Sequence, residues 1–174
     1  MAVPVRETVI GFILLTYGIS WKGSTSEFWM LSGMAIRLAV DMGLHLVGFP
    51  ARLCTANNKS PALGTSDDDA RKDRLVFWSV MALDLAVSFG VGRMTTISPL
   101  SVTQPIPCLD ASGPLPSPLV HLAGLIVPLA QINNALNLDD SSLTNTSPNV
   151  DFLKGQVAGM YGSLPAYMAW STQK

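Results

Sequence analysis

Apolar residues recur along this chain at the three- and four-residue steps of helices, and nowhere in the alternation of a half-buried strand. Residues 6–21 are apolar on nearly every side (Val9, Ile10, Phe12, Ile13, Leu14, Leu15), which predicts an interior helix. Lys22-Gly23 breaks it. Ser24 then stands three residues before Glu27, the spacing of a reciprocal N-terminal cap. It predicts a helix over 24–42 with Gly43 as its stop. One face of that helix carries Phe28, Leu31, Ala35, Leu38, Ala39 and Met42, and a second carries Trp29, Gly33, Ile36 and Val40. Only Met30, Met34, Arg37 and Asp41 are left for a third stripe. A helix buried on two faces belongs in an array of helices rather than at the edge of a sheet.

Residues 46–66 lose the periodicity and collect Pro50, Asn57, Asn58, Pro61 and Gly64, which predicts a mobile loop. Ser66 and Asp69 repeat the cap spacing, and the run Asp67-Asp68-Asp69 suits a helix N-terminus better than a calcium loop. The helix that follows runs to about Phe89. Leu75, Trp78, Ala82, Leu85, Ala86 and Phe89 share one face; Val76, Val80, Leu83 and Val87 share another, interrupted by Asp84. Gly90 and Gly92 end it. Residues 93–118 are irregular and proline-rich. A fourth helix is expected over 119–138, kinked at Pro128, and a fifth over 150–164, stopped by Pro165. The expected fold class is all-α: an array of antiparallel helices in one domain of 174 residues.

Charge changes that picture. Apolar residues make up an ordinary 48% of the chain, but charged residues only 13%, against a usual share of about 25%. Either much of the surface meets something else, or the chain is part of a larger protein. Two helices apolar on two sides, with few helices to cover them, leave an apolar face exposed. Two cysteines, Cys54 and Cys108, make neither a disulfide framework nor a four-ligand zinc site. A membrane is not expected. The uncharged apolar stretch Val9–Ile19 has eleven residues, where a span needs about 20. The longer stretch 118–138 carries His121, Pro128, Gln131, Asn133 and Asn134.

No enzyme is expected. Gly-x-Ser-x-Gly and P-loop motifs are absent, and Gly90-Val91-Gly92 lacks the third glycine of a dinucleotide fingerprint. His45 is expected to bond the last carbonyls of the 24–42 helix, and His121 to sit half-buried on its own helix. Four charged residues stand out as a structural network. Arg37 and Asp41 lie four apart in the less favourable order, Asp41 opposes a helix dipole, and Asp84 sits among apolar neighbours. With Arg93, they are expected to form at least one acid–base pair between elements.

The run Ser32-Gly33-Met34-Ala35-Ile36-Arg37-Leu38-Ala39-Val40-Asp41-Met42-Gly43-Leu44-His45 resembles the signature of the fungal-specific transcription factor domain, the regulatory middle region of binuclear zinc-cluster activators. Arg74-Leu75-Val76-Phe77-Trp78-Ser79 resembles the family's Arg-Leu-x-Trp-Trp element, with Phe77 in place of the first tryptophan. Leu83-Asp84, Ser88, Gly92-Arg93, Ile97 and Gln104-Pro105-Ile106-Pro107 follow at the family spacing. Gly43, Leu44, His45, Arg74, Trp78 and Gly92 are thus the family-motif residues. The match covers about 8–107 well and 119–170 weakly, where Tyr161-Gly162-Ser163-Leu164-Pro165 is similar to a later helix end. The acidic run usual after Gly-Arg is replaced by 98–103. The family's six-cysteine zinc cluster, basic linker, dimerisation coil and later helices are missing, so the chain is expected to be an internal or truncated part of a regulatory domain. The resemblance implies a nuclear regulator that works through the rest of the transcription factor, co-regulator proteins or a small effector. Zinc would belong to the missing cluster, and no cofactor to this chain. The alternative is an α-helical small-molecule or lipid-binding domain unrelated to transcription.

A net charge of −1 and no basic run longer than Arg71-Lys72 give the chain no pull on a phosphate backbone. It is expected not to bind DNA sequence-specifically, whereas specific binders present a clustered basic face and reach about 10 nM or tighter at physiological salt. A gel-shift titration checks this; retention of one DNA sequence over others would contradict it.

Overall fold

The structure, a computed structural model, describes residues 5–47, 67–107, 118–137 and 150–162. Five α-helices follow one another: α1 (Arg6–Ser20), α2 (Thr25–Asp41), α3 (Asp67–Val91), α4 (Pro118–Leu136) and α5 (Val150–Gly162), with a short 3-10 turn at Pro99–Ser101. The fold is all-α. Of the loop expected over 46–66, residues 48–66 lie outside the described residues, as do the Ser66 cap, both cysteines and Pro165.

α3 is the hub. It packs against α1, α2 and α4, while α1 pairs with α2 across the short connection 21–24, and α5 rests on α4. The core is built from α3's Val76, Phe77, Trp78, Val80, Met81, Leu83 and Val87, with Val9 and Ile13 of α1, Ala35, Ile36 and Ala39 of α2, and Ala123 and Ile126 of α4. Phe77 and Trp78 meet edge to face at 5.7 Å, the arrangement their ring quadrupoles favour. By length and composition α3 could cross a bilayer. Half of that stretch is nonetheless buried against the other helices, Phe77, Trp78, Met81 and Leu83 included, which is how a core helix passes the same test.

The two faces read on α3 are not equal. The Val76–Val80–Leu83–Val87 face is buried throughout, whereas the other ends in Ala86 and Phe89, both exposed. On α2 the third stripe of Met30, Met34, Arg37 and Asp41 is exposed, as its polarity predicts. α1 departs from expectation: it is not an interior helix. Val9, Ile13 and Thr16 alone are buried, on one face, and Ile10, Leu14, Leu15 and Tyr17 are exposed. The expected capping box on α2 is also not formed, because Ser24 occupies the N-cap position but its hydroxyl caps nothing. Arg6 supplies the ionic tie between α1 and α3, its Nη1 donating to Asp73 Oδ1 at 2.9 Å. The buried hydroxyls of Thr16 and Ser32 donate to Phe12 O and Trp29 O of their own helices, so neither is left without a partner in the apolar layer.

Truncating the fully buried Leu83 on α3 opens a cavity at the hub, so Leu83→Ala is expected to cost about 2–5 kcal/mol. Phe89→Ala, on the exposed flank of the same helix, is expected to cost less than about 1 kcal/mol. Urea unfolding of both variants checks the assignment of faces; equal losses would contradict it.

Candidate functional site

Among the described residues Asp84 is the one buried carboxylate, on α3 and almost fully enclosed. α3 ends about two turns later, and the chain returns past it as the loop 92–107. There Asp84 Oδ2 accepts from the backbone N–H of Ile97 at 2.8 Å, and Oδ1 accepts from the N–H of Thr96 at 3.1 Å. The Ser88 hydroxyl, one turn along α3, donates to the same Oδ1 at 3.3 Å. Burial pushes the Asp84 carboxyl above its usual range, and the N–H groups of Ile97 and Thr96 and the Ser88 hydroxyl pull it part of the way back.

Other side chains pin the same loop from three directions. From α4, Asn133 Nδ2 donates to Arg93 O at 2.6 Å, and Asn134 Oδ1 accepts from Thr95 N at 2.7 Å. From α3, Trp78 Nε1 donates to Pro105 O at 2.9 Å. At the end of α2, His45 O accepts from the N–H groups of Thr103 and Gln104, and Gln104 Nε2 donates to Leu44 O at 3.0 Å. The entry to each segment is a glycine stop. Gly43 and Gly92 take φ of 69° and 64°. Leu44 N reaches back to Ala39 O and Arg93 N to Ser88 O, the six-to-one bond that needs a left-handed residue before it.

The expected acid–base network is not what the structure builds. Among the described residues, no ion pair joins any two of Arg37, Asp41, Asp84 and Arg93. Asp84 is satisfied by backbone N–H groups instead of a cation. Arg93 is exposed, and its guanidinium stacks on the Trp29 ring at 5.1 Å, a cation–π contact that ties the loop to α2. Arg37 and Asp41 are both exposed on α2. His45 corrects its expected role too: its main chain, not its imidazole, makes the bonds, and its buried Nδ1 has no hydrogen-bond partner. His121 is half-buried on α4, as its helix position predicts, with a buried Nε2 that lacks a partner. Arg74 is half-buried, its Nε in the same situation.

Arg37 marks the junction of two adjoining hollows between α2 and the loop. One, of about 190 Å³, is lined by Trp29, Ser32, Arg37, Asp84 and Thr96 among others. The second, of about 360 Å³, is lined by Arg37, Asp41, His45, Thr96, Ser98 and Ser101 with apolar neighbours. Ile36, Arg37 and Thr96 belong to both. The lining mixes one cation, one exposed acid and several hydroxyls, and among the described residues no three metal-ligating side chains cluster anywhere. The arrangement can bind polar groups.

The model of the family described as the fungal specific transcription factor domain matches residues 7–117, which takes in α1, α2, α3 and the whole pinned loop. This chain belongs to that family. An uncharacterized transcriptional regulatory protein of Schizosaccharomyces pombe is 29% identical, over 85% of this chain and 27% of its own length. A second from the same yeast is 33% identical, over 70% of this chain and 17% of its own. A third is 34% identical over 48% of this chain and 22% of its own length. The chain thus spans about a quarter or less of these relatives. No solved structure matches.

The family's motif residues sit where the loop is anchored. Gly43 and Gly92 are the two helix stops, Leu44 and His45 lend carbonyls to the loop, and Trp78 holds Pro105. Arg74 lies one turn before Trp78 and contributes no hydrogen bond from its Nε. Asn133 and Asn134, outside the motif, are the anchors that motif reading missed. Two adjacent amides in an otherwise apolar helix were their only mark.

Asp84→Ala is expected to cost about 2–5 kcal/mol, since it strands two backbone N–H groups, one of them on the buried Ile97. Urea unfolding measures the loss, and amide exchange at Thr96 and Ile97 reports the freed loop. The pH dependence carries its own sign. Because the folded carboxyl titrates above the free value, Asp84 binds its proton more tightly in the folded state. Its contribution is therefore fully present below the free pKa of 3.8 and is lost as pH rises through the folded value. The stability of the wild type relative to Asp84→Asn is expected to rise as pH falls across that window; a difference flat or falling toward acid would contradict it.

Proposed function

We propose that this chain is regulatory-domain structure of a fungal zinc-cluster transcription factor, which in the intact protein controls transcription by RNA polymerase II from within the nucleus. The observation that carries this reading is the coincidence of the family match with the α2–α3–loop frame. Within the matched range stand helix stops, carbonyls that accept from a loop and a buried tryptophan anchor. They are residues that keep a shape rather than residues that turn over a substrate, so we assign the chain no enzymatic activity. Relatives described as transcriptional regulatory proteins support the same direction. The alternative of a small-molecule or lipid binder unrelated to transcription finds no support among them.

In this reading the domain acts by contact. The polar cleft beside α2 and the apolar outer side of α1 are two surfaces through which the rest of the transcription factor, a co-regulator protein or a small effector would act on it. Zinc has no place here: in this family it belongs to a six-cysteine cluster, and two cysteines cannot supply that donor set.

The test places the full chain between a heterologous DNA-binding module and an activation domain in a fungal reporter strain. A several-fold change in output relative to an unstructured linker of equal length is expected, and Asp84→Ala, which frees the loop, should abolish it. Output indistinguishable from the linker's would remove the reading.

A further inference from the structure

We propose that the cleft beside α2 binds a small phosphate monoester, its phosphate held between the guanidiniums of Arg37 and Arg93 and its hydroxylated body lying toward Asp41 and Ser98. The two arginines come from different parts of the fold, α2 and the start of the loop, and meet over one face of α2. Trp29, Gly33 and Arg37 follow one another on that face at four-residue steps. Arg93 Cζ stands 5.1 Å above the Trp29 ring. Arg37 turns back along the helix, so that its Nη1 lies 3.7 Å from the point where a side chain on Gly33 would begin. The two guanidiniums therefore sit over adjoining turns, beside the hollow of about 190 Å³ that Trp29, Gly33 and Arg37 help to line. Both arginines are exposed, and among the described residues neither forms an ion pair.

Two like charges on adjoining turns oppose each other, and an anion carrying two charges relieves both at once. A phosphate monoester carries about −1.5 to −2 at pH 7 and three strong acceptor oxygens, enough for two guanidinium forks, whereas a single carboxylate is matched by one. Asp84 lines the same hollow, but its two oxygens already accept from the N–H groups of Thr96 and Ile97. The far end of the cleft selects the body of the ligand. Past Arg37 it opens into the hollow of about 360 Å³, which Asp41 and Ser98 line. Asp41 forms no ion pair among the described residues, and the Ser98 hydroxyl caps nothing on the 3-10 turn it opens. A carboxylate there repels a second acid group and accepts from hydroxyls. The ligand thus carries its charge at one end and its hydroxyls at the other. Because the charged side chains are exposed and screened by salt, binding is modest, with a dissociation constant on the order of 1 mM or somewhat tighter.

Nuclear magnetic resonance titration of the full chain with glycerol 3-phosphate, inorganic phosphate and glycerol tests the proposal, with circular dichroism confirming that each variant keeps its helices. Both phosphates are expected to shift the amides of Gly33, Arg37 and Thr96 saturably, and glycerol is not. Glycerol 3-phosphate should bind roughly three- to tenfold tighter than phosphate, through its hydroxyls. Arg37→Gln and Arg93→Gln should each weaken both ligands about tenfold, with Arg37→Lys recovering part of the loss. Asp41→Ala should leave phosphate bound and abolish the preference for glycerol 3-phosphate. A loss of fold alone would not separate the two ligands in this way. No saturable binding in the millimolar range, binding indifferent to Arg37→Gln, or a preference that survives Asp41→Ala would each overturn the proposal. So would a phosphoserine peptide that binds tighter than glycerol 3-phosphate, which would hand the site to a protein partner. The proposal rests on the reading of this cleft as an effector surface, but the titration is read without a reporter, so its failure leaves the reporter result standing.

Discussion

A carboxylate almost fully buried on the central helix sets the terms for everything around it. Asp84 sits in an apolar layer where an unpartnered charge is expensive, and among the described residues no cation forms an ion pair with it. What satisfies it is the backbone of the loop that follows its own helix, through the N–H groups of Thr96 and Ile97. The dependence runs both ways. The loop has no ladder of its own, so its buried N–H groups need acceptors as much as Asp84 needs donors. Neither is stable without the other, and the positions of α2 and α4 against α3 follow from where the loop is held.

Most anchors on that loop bond side chain to main chain, with Thr95 also meeting the Asn134 amide through its hydroxyl. Trp78 holds Pro105, Asn133 holds Arg93, Gln104 holds Leu44 and Asn134 takes the N–H of Thr95. A side chain can bond a given carbonyl only when the backbone is in one place, so each contact fixes position as well as contributing about 0.5–1.5 kcal/mol. The two glycine stops serve the same end by setting the angle at which the chain leaves α2 and α3. The residues that hold this loop are thus glycines, a tryptophan and an isolated acid, each placed to fix the backbone.

Which parts were legible beforehand follows from where the information lies. The helices were, because period and stops are local: α2 ends at Gly43 and α3 at Gly92 as read, and the third stripe of α2 is exposed as its polarity implied. Asp84 was legible as a problem but not in its solution. Sequence reading looked for a cation, with Arg71, Lys72, Arg74 and Arg93 available, whereas backbone N–H groups, present at every residue, leave no mark in a sequence. Arg93 stacks on Trp29 instead because a guanidinium over an aromatic ring keeps much of its hydration. The ties of Arg6 to Asp69 and Asp73 were missed for a related reason: Asp69 already had a local explanation as a helix start, and nothing local marks a pairing more than sixty residues away. α1 was misjudged differently. Apolar side chains on every side say that a helix prefers cover, not that the cover lies within the same chain.

That last point gives the low charge content its meaning. With only 13% charged residues, the molecule cannot coat itself in solvated ion pairs, and the exposed pairs among the described residues stand mostly at helix starts. Lys72 pairs with Asp68 on the exposed first turn of α3, and Lys154 with Asp151 on α5, each worth little in water. The working polarity is instead turned inward, onto the loop, where low dielectric strengthens each hydrogen bond. The outside is then left to side chains such as Trp21, Leu14 and Leu100. A domain arranged this way holds its shape by internal bonds that salt hardly screens, while its surface gains from contact with another apolar face. Stiffness inside and adhesiveness outside suit a domain whose output is decided by what it touches.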